Sequence, residues 1–123
     1  MRYGLKKQLR SFRYAWQGIR GCVGREQSLS FHLIVTVAVV ALGFGLGITR
    51  GEWVAVCLCI GLVISAELFN TAIERLVDLV SPQRHPLAGQ VKDIAAGAVL
   101  VCALAAIAVG LIIFVPYLTR IFL

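Results

Sequence analysis

The sequence predicts an all-α membrane protein in which one N-terminal amphipathic surface helix precedes three transmembrane helices. Hydrophobic residues make up 59% of the chain and charged residues 15%, whereas soluble domains carry roughly 45–50% apolar and about 25% charged residues. The apolar residues are gathered in three long runs, which a water-soluble core does not need. With 123 residues, the chain has the length of one domain, and we assign residues 1–123 to a single membrane domain.

The first segment, at about residues 3–24, combines apolar and basic residues at helical spacing. Its apolar residues recur every three or four positions and therefore share one helical face; they are Leu5, Leu9, Phe12, Trp16 and Ile19. Seven of the twelve Lys and Arg residues lie in the first 25 positions. A basic amphipathic helix directly before an apolar run is typical of a helix that lies on anionic lipid headgroups. We therefore expect contact with the membrane and no nucleic-acid partner.

The three apolar runs predict transmembrane helices at about residues 31–48, 53–80 and 93–118. The first run is uncharged, the third carries only Asp93 at its start, and the second is uncharged over its first fourteen residues. The N-terminal segment and the connection between the second and third runs hold most of the basic residues. By the positive-inside rule both are cytoplasmic, whereas the short TRGE turn and the C-terminus face outward.

Four polar residues interrupt the second run at helical spacing. Glu67, Asn70, Glu74 and Asp78 follow one another at intervals of three, four and four residues. At 3.6 residues per turn they fall within an arc of about 80° and extend over roughly 16 Å of helix. We call this set the acidic stripe. It predicts one polar face that runs from the apolar span toward the cytoplasm.

The carboxylates of the stripe have two interpretations. Solvated charges at a protruding helix end account well for Asp78 and fairly for Glu74. They account poorly for Glu67, which follows fourteen uncharged residues, because an ionised carboxylate in hydrocarbon costs at least about 2.5–3.5 kcal/mol. A divalent cation, a basic partner or protonation must offset this cost. Glu67 is therefore predicted to have a functional role.

Lys92 and Asp93 stand together at the start of the third run, on the same membrane face as the stripe. Such residues also serve as a helix cap and an interface anchor. Carboxylates and cations at one membrane surface fit phosphoryl transfer, in which metal and cations neutralise phosphate charge. No GxxxxGK[ST] phosphate-binding loop occurs. Two other hypotheses are a small proton- or cation-coupled transporter that uses Glu67, and a structural membrane subunit.

The block ELFNTAIERLVDLV, followed by VKDIAAGAVLV, resembles the signature of the prokaryotic diacylglycerol kinase family, which includes the undecaprenol kinases. The resemblance covers nearly the whole chain, with YAWQGIR in the basic N-terminal segment and an acidic residue before the first span. The loop RHPLAGQ and the ending GLIIFVPYL are more similar to the undecaprenol kinases of the family.

The resemblance implies a homotrimeric lipid kinase in the bacterial cytoplasmic membrane, with active sites shared between protomers. It would use ATP and Mg²⁺ to phosphorylate a lipid alcohol, converting diacylglycerol to phosphatidic acid or undecaprenol to undecaprenyl phosphate. By position, Glu67 resembles the general base, and Glu26 and Glu74 resemble the metal-binding pair. The supporting or substrate-contacting residues are then Asn70, Asp78 and Trp16.

The resemblance also implies a set of residues that bind the nucleotide. They are Lys7, Tyr14, Gln83, Arg84, His85, Lys92 and Asp93. After Glu26 the family often has Asn and then a basic residue, whereas this chain has Gln27, Ser28 and Ser30. His85 has an alternative interpretation as an exposed loop residue, and His32 is interpreted as an interface residue at the start of the first span.

Overall fold

The computed structural model describes residues 2–123, with side chains from residue 4 onward. Four helices follow one another, and the described residues contain no strand. They are α1 (Arg2–Cys22), α2 (Gln27–Leu46), α3 (Arg50–Val80) and α4 (Pro86–Phe122). The last three are long and apolar enough to cross a membrane. The prediction of an all-α membrane protein with one surface helix and three spans is therefore confirmed.

The helix α1 has the amphipathic character that its sequence predicts. Its apolar residues Leu5, Leu9, Phe12 and Trp16 are all exposed, so none of the residues that the structure describes covers this face. A turn with Gly24 at φ 83° joins α1 to α2, and this left-handed conformation suits glycine because it has no Cβ. The exposed apolar face is available to the membrane interface.

The helix α2 begins and ends earlier than the predicted span of residues 31–48. It starts at Gln27 because polar residues such as Ser28 continue the helix beyond the apolar run. It stops at Leu46 because Gly47 adopts the left-handed conformation, with φ 67°, and donates its N–H to the Gly43 carbonyl. This is the usual glycine arrangement at a helix C-terminus.

Caps also explain where α3 and α4 begin. Thr49 and Glu52 form a reciprocal capping box, so α3 starts at Arg50. The imidazole of His85 accepts the N–H of Leu87 at 3.1 Å, and Pro86 occupies the first helical position. The helix α4 therefore begins seven residues before the predicted position 93, and Asp93 lies inside the helix, so it is not the cap.

The helices pack most extensively between α3 and α4, and α2 packs on α3. A small buried core lies near the α2–α3 turn and the C-terminal half of α4; it consists of Ile48, Val56, Ile113 and Phe114. Trp53 packs over Gly43 there, and a Cβ on that glycine would lie 2.8 Å from the indole ring. Most other large apolar side chains are exposed, as expected of spans that face lipid.

Candidate active site

The carboxylate of Glu67 lies at the centre of a contact between α2 and α3. The residue is 1% exposed, although its side chain is acidic. The hydroxyl of Ser28 donates a hydrogen bond of 2.6 Å to Glu67 Oε1. The imidazole Nε2 of His32 lies 3.1 Å from the same oxygen. Polar partners from the facing helix thus offset the cost of burying this carboxylate.

Both contacts reach the same oxygen of Glu67. Among the side chains from residue 4 to residue 123, none donates a hydrogen bond to Oε2. A carboxylate oxygen has two lone pairs and accepts hydrogen bonds readily when ionised. The arrangement therefore holds one oxygen and leaves the other able to accept a proton.

The acidic stripe changes from buried to exposed along α3. Glu67 is buried, Asn70 and Glu74 are half-buried, and the side chain of Asp78 is 65% exposed. Thr71, which borders the stripe, is also buried. This gradient matches a helix that passes from the apolar region into water. The predicted face is thus present, and its inner end lies against α2.

Asn70 and Glu74 form the middle of the stripe. Asn70 Nδ2 donates a 3.3 Å hydrogen bond to Glu74 Oε1. The amide oxygen of Asn70 is buried and has no hydrogen-bond partner among the described residues. Burying an amide oxygen without a hydrogen-bond partner costs free energy, because the oxygen loses its bonds to water. A cation or a donor group from another molecule would satisfy it.

Glu26 lies next to the same part of α3. It is the residue directly before α2, and its Oε1 is 3.7 Å from Arg75 Nη2. Because Arg75 directly follows Glu74, the start of α2 is close to the middle of the acidic stripe. Glu26 thus contacts the residue next to Glu74, and no hydrogen bond or ion pair joins the two predicted metal-binding carboxylates to a common partner among the described residues.

The residues of this region suit a magnesium ion that is also bound by phosphate. No group of three or more His, Cys, Asp or Glu side chains gathers as a metal cage within the described part of the chain. Mg²⁺ is usually held by only one or two carboxylates, with water and substrate phosphates as its other ligands. The carboxylates of Glu26 and Glu74 and the free amide oxygen of Asn70 are oxygen donors of that kind.

Lys92 joins the outer end of the stripe to α4. Its ammonium group donates a 2.6 Å hydrogen bond to Asp78 Oδ1, and both side chains are partly exposed. Asp93, the next residue, is exposed. The expected proximity of Lys92 to the stripe is therefore observed, with Asp78 as the contact.

The other predicted nucleotide-binding residues do not meet the stripe within this chain. All of them are exposed, as is Trp16; they are Lys7, Tyr14, Gln83, Arg84 and His85. Among the described residues no hydrogen bond or ion pair joins them to the stripe. His85 also has a structural role that the sequence interpretation did not include, since it caps α4.

Ser28 and His32 are the site residues that the sequence interpretation missed. They are four positions apart, so they share one face of α2. Two polar side chains on one face at the start of an apolar span are a detectable signal. Their partner was not predictable, because the sequence does not tell which side of α2 faces α3.

An apolar groove adjoins this contact. It has a volume of about 490 Å³ and lies between α2, α3 and α4. His32 is one of its lining residues, together with Val35 of α2, Val63 of α3 and Phe114 of α4. The polar contact around Glu67 is therefore next to a surface that suits hydrocarbon.

Comparison with known proteins identifies the family. The prokaryotic diacylglycerol kinase family matches residues 13–114. The chain is 42% identical over 114 residues to the undecaprenol kinase of Bacillus subtilis (strain 168), covering 93% of each chain. It is 39% identical over 107 residues to a diacylglycerol kinase of Synechocystis sp., covering 86% of this chain and 61% of that protein. To the diacylglycerol kinase of Escherichia coli (strain K12) it is 26% identical over 104 residues, or 85% of each chain. The chain therefore belongs to the prokaryotic diacylglycerol kinase family, as its sequence signature predicts.

Proposed function

We propose that this multi-pass membrane protein, a lipid kinase by family, transfers the γ-phosphate of ATP to the hydroxyl group of a membrane lipid, with Glu67 as the general base. The observation that carries the proposal is a carboxylate that is 1% exposed and whose polar contacts with the described residues all reach one oxygen. A buried carboxylate with a free oxygen is suited to accept a proton from a bound hydroxyl.

The proposed phosphoryl transfer combines a proton transfer to Glu67 with an attack of the lipid oxygen on ATP. Glu67 Oε2 accepts the proton of the lipid hydroxyl while the lipid oxygen attacks the γ-phosphorus atom. An O–P bond forms to the lipid, and the bond between the γ-phosphorus and the bridging oxygen breaks, so that its electron pair leaves with ADP. The proton on Glu67 later passes to water. Positioning and charge neutralisation supply most of the acceleration in such reactions.

Glu26 and Glu74 are the proposed ligands of Mg²⁺. The amide oxygen of Asn70, which has no partner among the described residues, is a further oxygen donor beside them. When bound with ATP, the ion would neutralise phosphate charge. Arg75, 3.7 Å from Glu26, holds that carboxylate beside the stripe.

The cationic and exposed residues are proposed to bind the nucleotide. Lys92 is close to the stripe through Asp78, and Asp93 follows it in the same helix. Among the described residues, the predicted nucleotide-binding residues of α1 and of the α3–α4 loop make no hydrogen bond or ion pair with the stripe of the same chain. We propose that residues 1–123 form one kinase domain, that the protein is a homotrimer, and that a neighbouring protomer completes each site.

The proposed location is the bacterial cytoplasmic membrane, with the N-terminus in the cytoplasm. The basic N-terminal segment and the α3–α4 connection support this orientation by the positive-inside rule. The acidic stripe then meets cytosolic ATP at the same surface where the lipid hydroxyl lies.

Undecaprenol is the proposed acceptor, with diacylglycerol as the alternative. Support comes from the 42% identity to an undecaprenol kinase over 93% of both chains. An apolar groove that begins beside His32 is also compatible with a long hydrocarbon chain.

A phosphate-transfer assay tests the proposal. The purified chain in detergent is incubated with radiolabelled ATP and Mg²⁺, and undecaprenol or diacylglycerol is supplied in separate reactions. We expect labelled lipid phosphate that depends on Mg²⁺, with faster turnover of undecaprenol. No labelled product with either lipid would contradict the kinase proposal, and ATP-independent cation flux in vesicles would favour a transporter. Faster turnover of diacylglycerol would contradict only the choice of lipid.

A further inference from the structure

We infer that His32 is a positioning residue that, together with Ser28, fixes Glu67 Oε1 so that Oε2 faces the lipid hydroxyl. This inference rests on the proposed role of Glu67 as general base. It adds two residues of α2 to the reacting machinery, and neither of them touches the reacting atoms.

The geometry is specific to one oxygen. Ser28 Oγ lies 2.6 Å and His32 Nε2 lies 3.1 Å from Glu67 Oε1. The two partners are one helical turn apart on α2, so they approach the carboxylate from adjacent positions on one face. Contacts to one oxygen restrict rotation of the carboxylate and leave the second oxygen in a defined position.

The surroundings of His32 indicate that this contact orients the imidazole. The side chain of His32 is only 18% exposed, and its ring packs edge-on against Phe31 with a centroid separation of 5.6 Å. The α4 residues across the groove, such as Ala103 and Phe114, are apolar. Among the described residues, Glu67 is the only side chain that a ring nitrogen of His32 contacts.

The chemistry explains why orientation matters here. A side chain in water would reorient quickly, and a base has to reach hydrogen-bond distance of the proton that it removes. Small errors in the placement of reacting groups cost large factors in rate. A carboxylate fixed through Oε1 is ready for the lipid hydroxyl, whereas a free one samples positions that do not react.

Two matched pairs of variants test the inference by turnover with lipid and MgATP. The variant His32→Leu should lower kcat roughly tenfold to a hundredfold, the effect of losing one polar contact to a charged group. The KM for MgATP should stay unchanged, because His32 is not proposed to bind nucleotide. The variant His32→Gln should recover most of the rate, since its amide N–H can approach Oε1. The variant Ser28→Ala should also lower kcat, whereas Ser30→Ala should not, because Ser28 and not Ser30 makes a hydrogen bond to Glu67.

A spectroscopic measurement tests the contact without relying on catalysis. The chain has only two histidines, His32 and His85, so the ¹⁵N NMR spectrum of histidine-labelled protein is simple. We expect Glu67→Gln to shift the side-chain nitrogen resonances of His32 and to leave those of His85 in place.

The outcomes separate this inference from the proposed function. An active wild-type enzyme with unchanged kcat in His32→Leu would overturn the inference and leave the kinase proposal intact. Unshifted His32 resonances in Glu67→Gln would also overturn it, even if the lipid assay failed. If the KM for MgATP rose in proportion to the loss of rate, His32 would act on nucleotide binding and the positioning role would be wrong.

Discussion

The helix α3 carries one glutamate in its first turn and another near its middle, and both have polar partners for different reasons. Glu52 is in the first turn, where its carboxylate accepts the Thr49 N–H at 2.9 Å and the Tyr117 hydroxyl. Glu67 is fifteen positions further along the same helix, where its polar partners among the described residues are side chains of α2. The comparison separates a carboxylate that caps the backbone at the start of its helix from one that bonds only side chains.

The difference follows from the backbone. The first turn of a helix has N–H groups without helical partners, and a Glu in a capping box satisfies one of them. Glu52 does this for Thr49, and its bond to Tyr117 also joins α3 to α4. In the middle of a helix all backbone N–H groups are already bonded, so Glu67 does not cap a backbone N–H group. A buried acidic side chain that caps no backbone group is a candidate for a functional residue.

The largest expected effect is on turnover, and it distinguishes a variant that removes the Glu67 charge from one that removes the Glu52 charge. The variant Glu67→Gln should lower lipid phosphorylation by roughly 10²–10⁴-fold, the usual contribution of a general base. The variant Glu52→Gln should keep turnover within about twofold and lower the thermal unfolding midpoint, because it weakens the helix cap and the bond to Tyr117. Equal losses of turnover in Glu67→Gln and Glu52→Gln would contradict the different roles of the two glutamates.

A smaller effect is expected for the rest of the acidic stripe. The variants Glu74→Gln and Glu26→Gln should each raise the Mg²⁺ concentration needed for half-maximal rate by about tenfold, equivalent to about 1.4 kcal/mol. The reason is the loss of one anionic oxygen ligand from a site that has few. Magnesium titrations of the lipid kinase rate measure this shift, with Glu52→Gln as the control. An unchanged titration curve for Glu74→Gln would contradict its role as a ligand.

The last effect is on stability and not on turnover, and it concerns the packing beside the first turn of α3. A Cβ at position 43 would lie 2.8 Å from the Trp53 ring, whereas one at position 45 would meet nothing within 4 Å. The variant Gly43→Ala should therefore destabilise the fold by about 1–3 kcal/mol, the usual cost of overpacking. The variant Gly45→Ala should be neutral or stabilising, because alanine favours the helix. Unfolding in detergent measures both, and equal stability of the two variants would show that the Trp53 contact is not tight.

The same comparison explains how much of the molecule could be predicted from its sequence. The three spans were predictable because an apolar run in lipid must satisfy its backbone internally, and one segment does so as a helix. The acidic stripe was predictable because α3 alternates polar and apolar residues with a helical period. The beginning of α4 was missed because it depends on His85, a residue whose imidazole can cap a helix or remain in solvent.

The contact of His32 with Glu67 could not be predicted from the sequence, and the reason concerns α2. The helix α2 is apolar on all sides after its first turns, so periodicity does not tell which face packs against α3. Only the tertiary arrangement decides that Ser28 and His32 face Glu67. Lys7 and Tyr14 are both exposed, so the structure of one chain does not join them to the stripe.

The most direct measurement determines nucleotide affinity and turnover on one preparation of Glu67→Gln. If the carboxylate removes a proton and does not hold the nucleotide, the Kd for MgATP should stay within about twofold of wild type. Lipid phosphate should meanwhile be absent or reduced by orders of magnitude at saturating ATP and lipid. A Kd that rises sharply, with wild-type turnover once ATP is saturating, would contradict the role of Glu67 as the base.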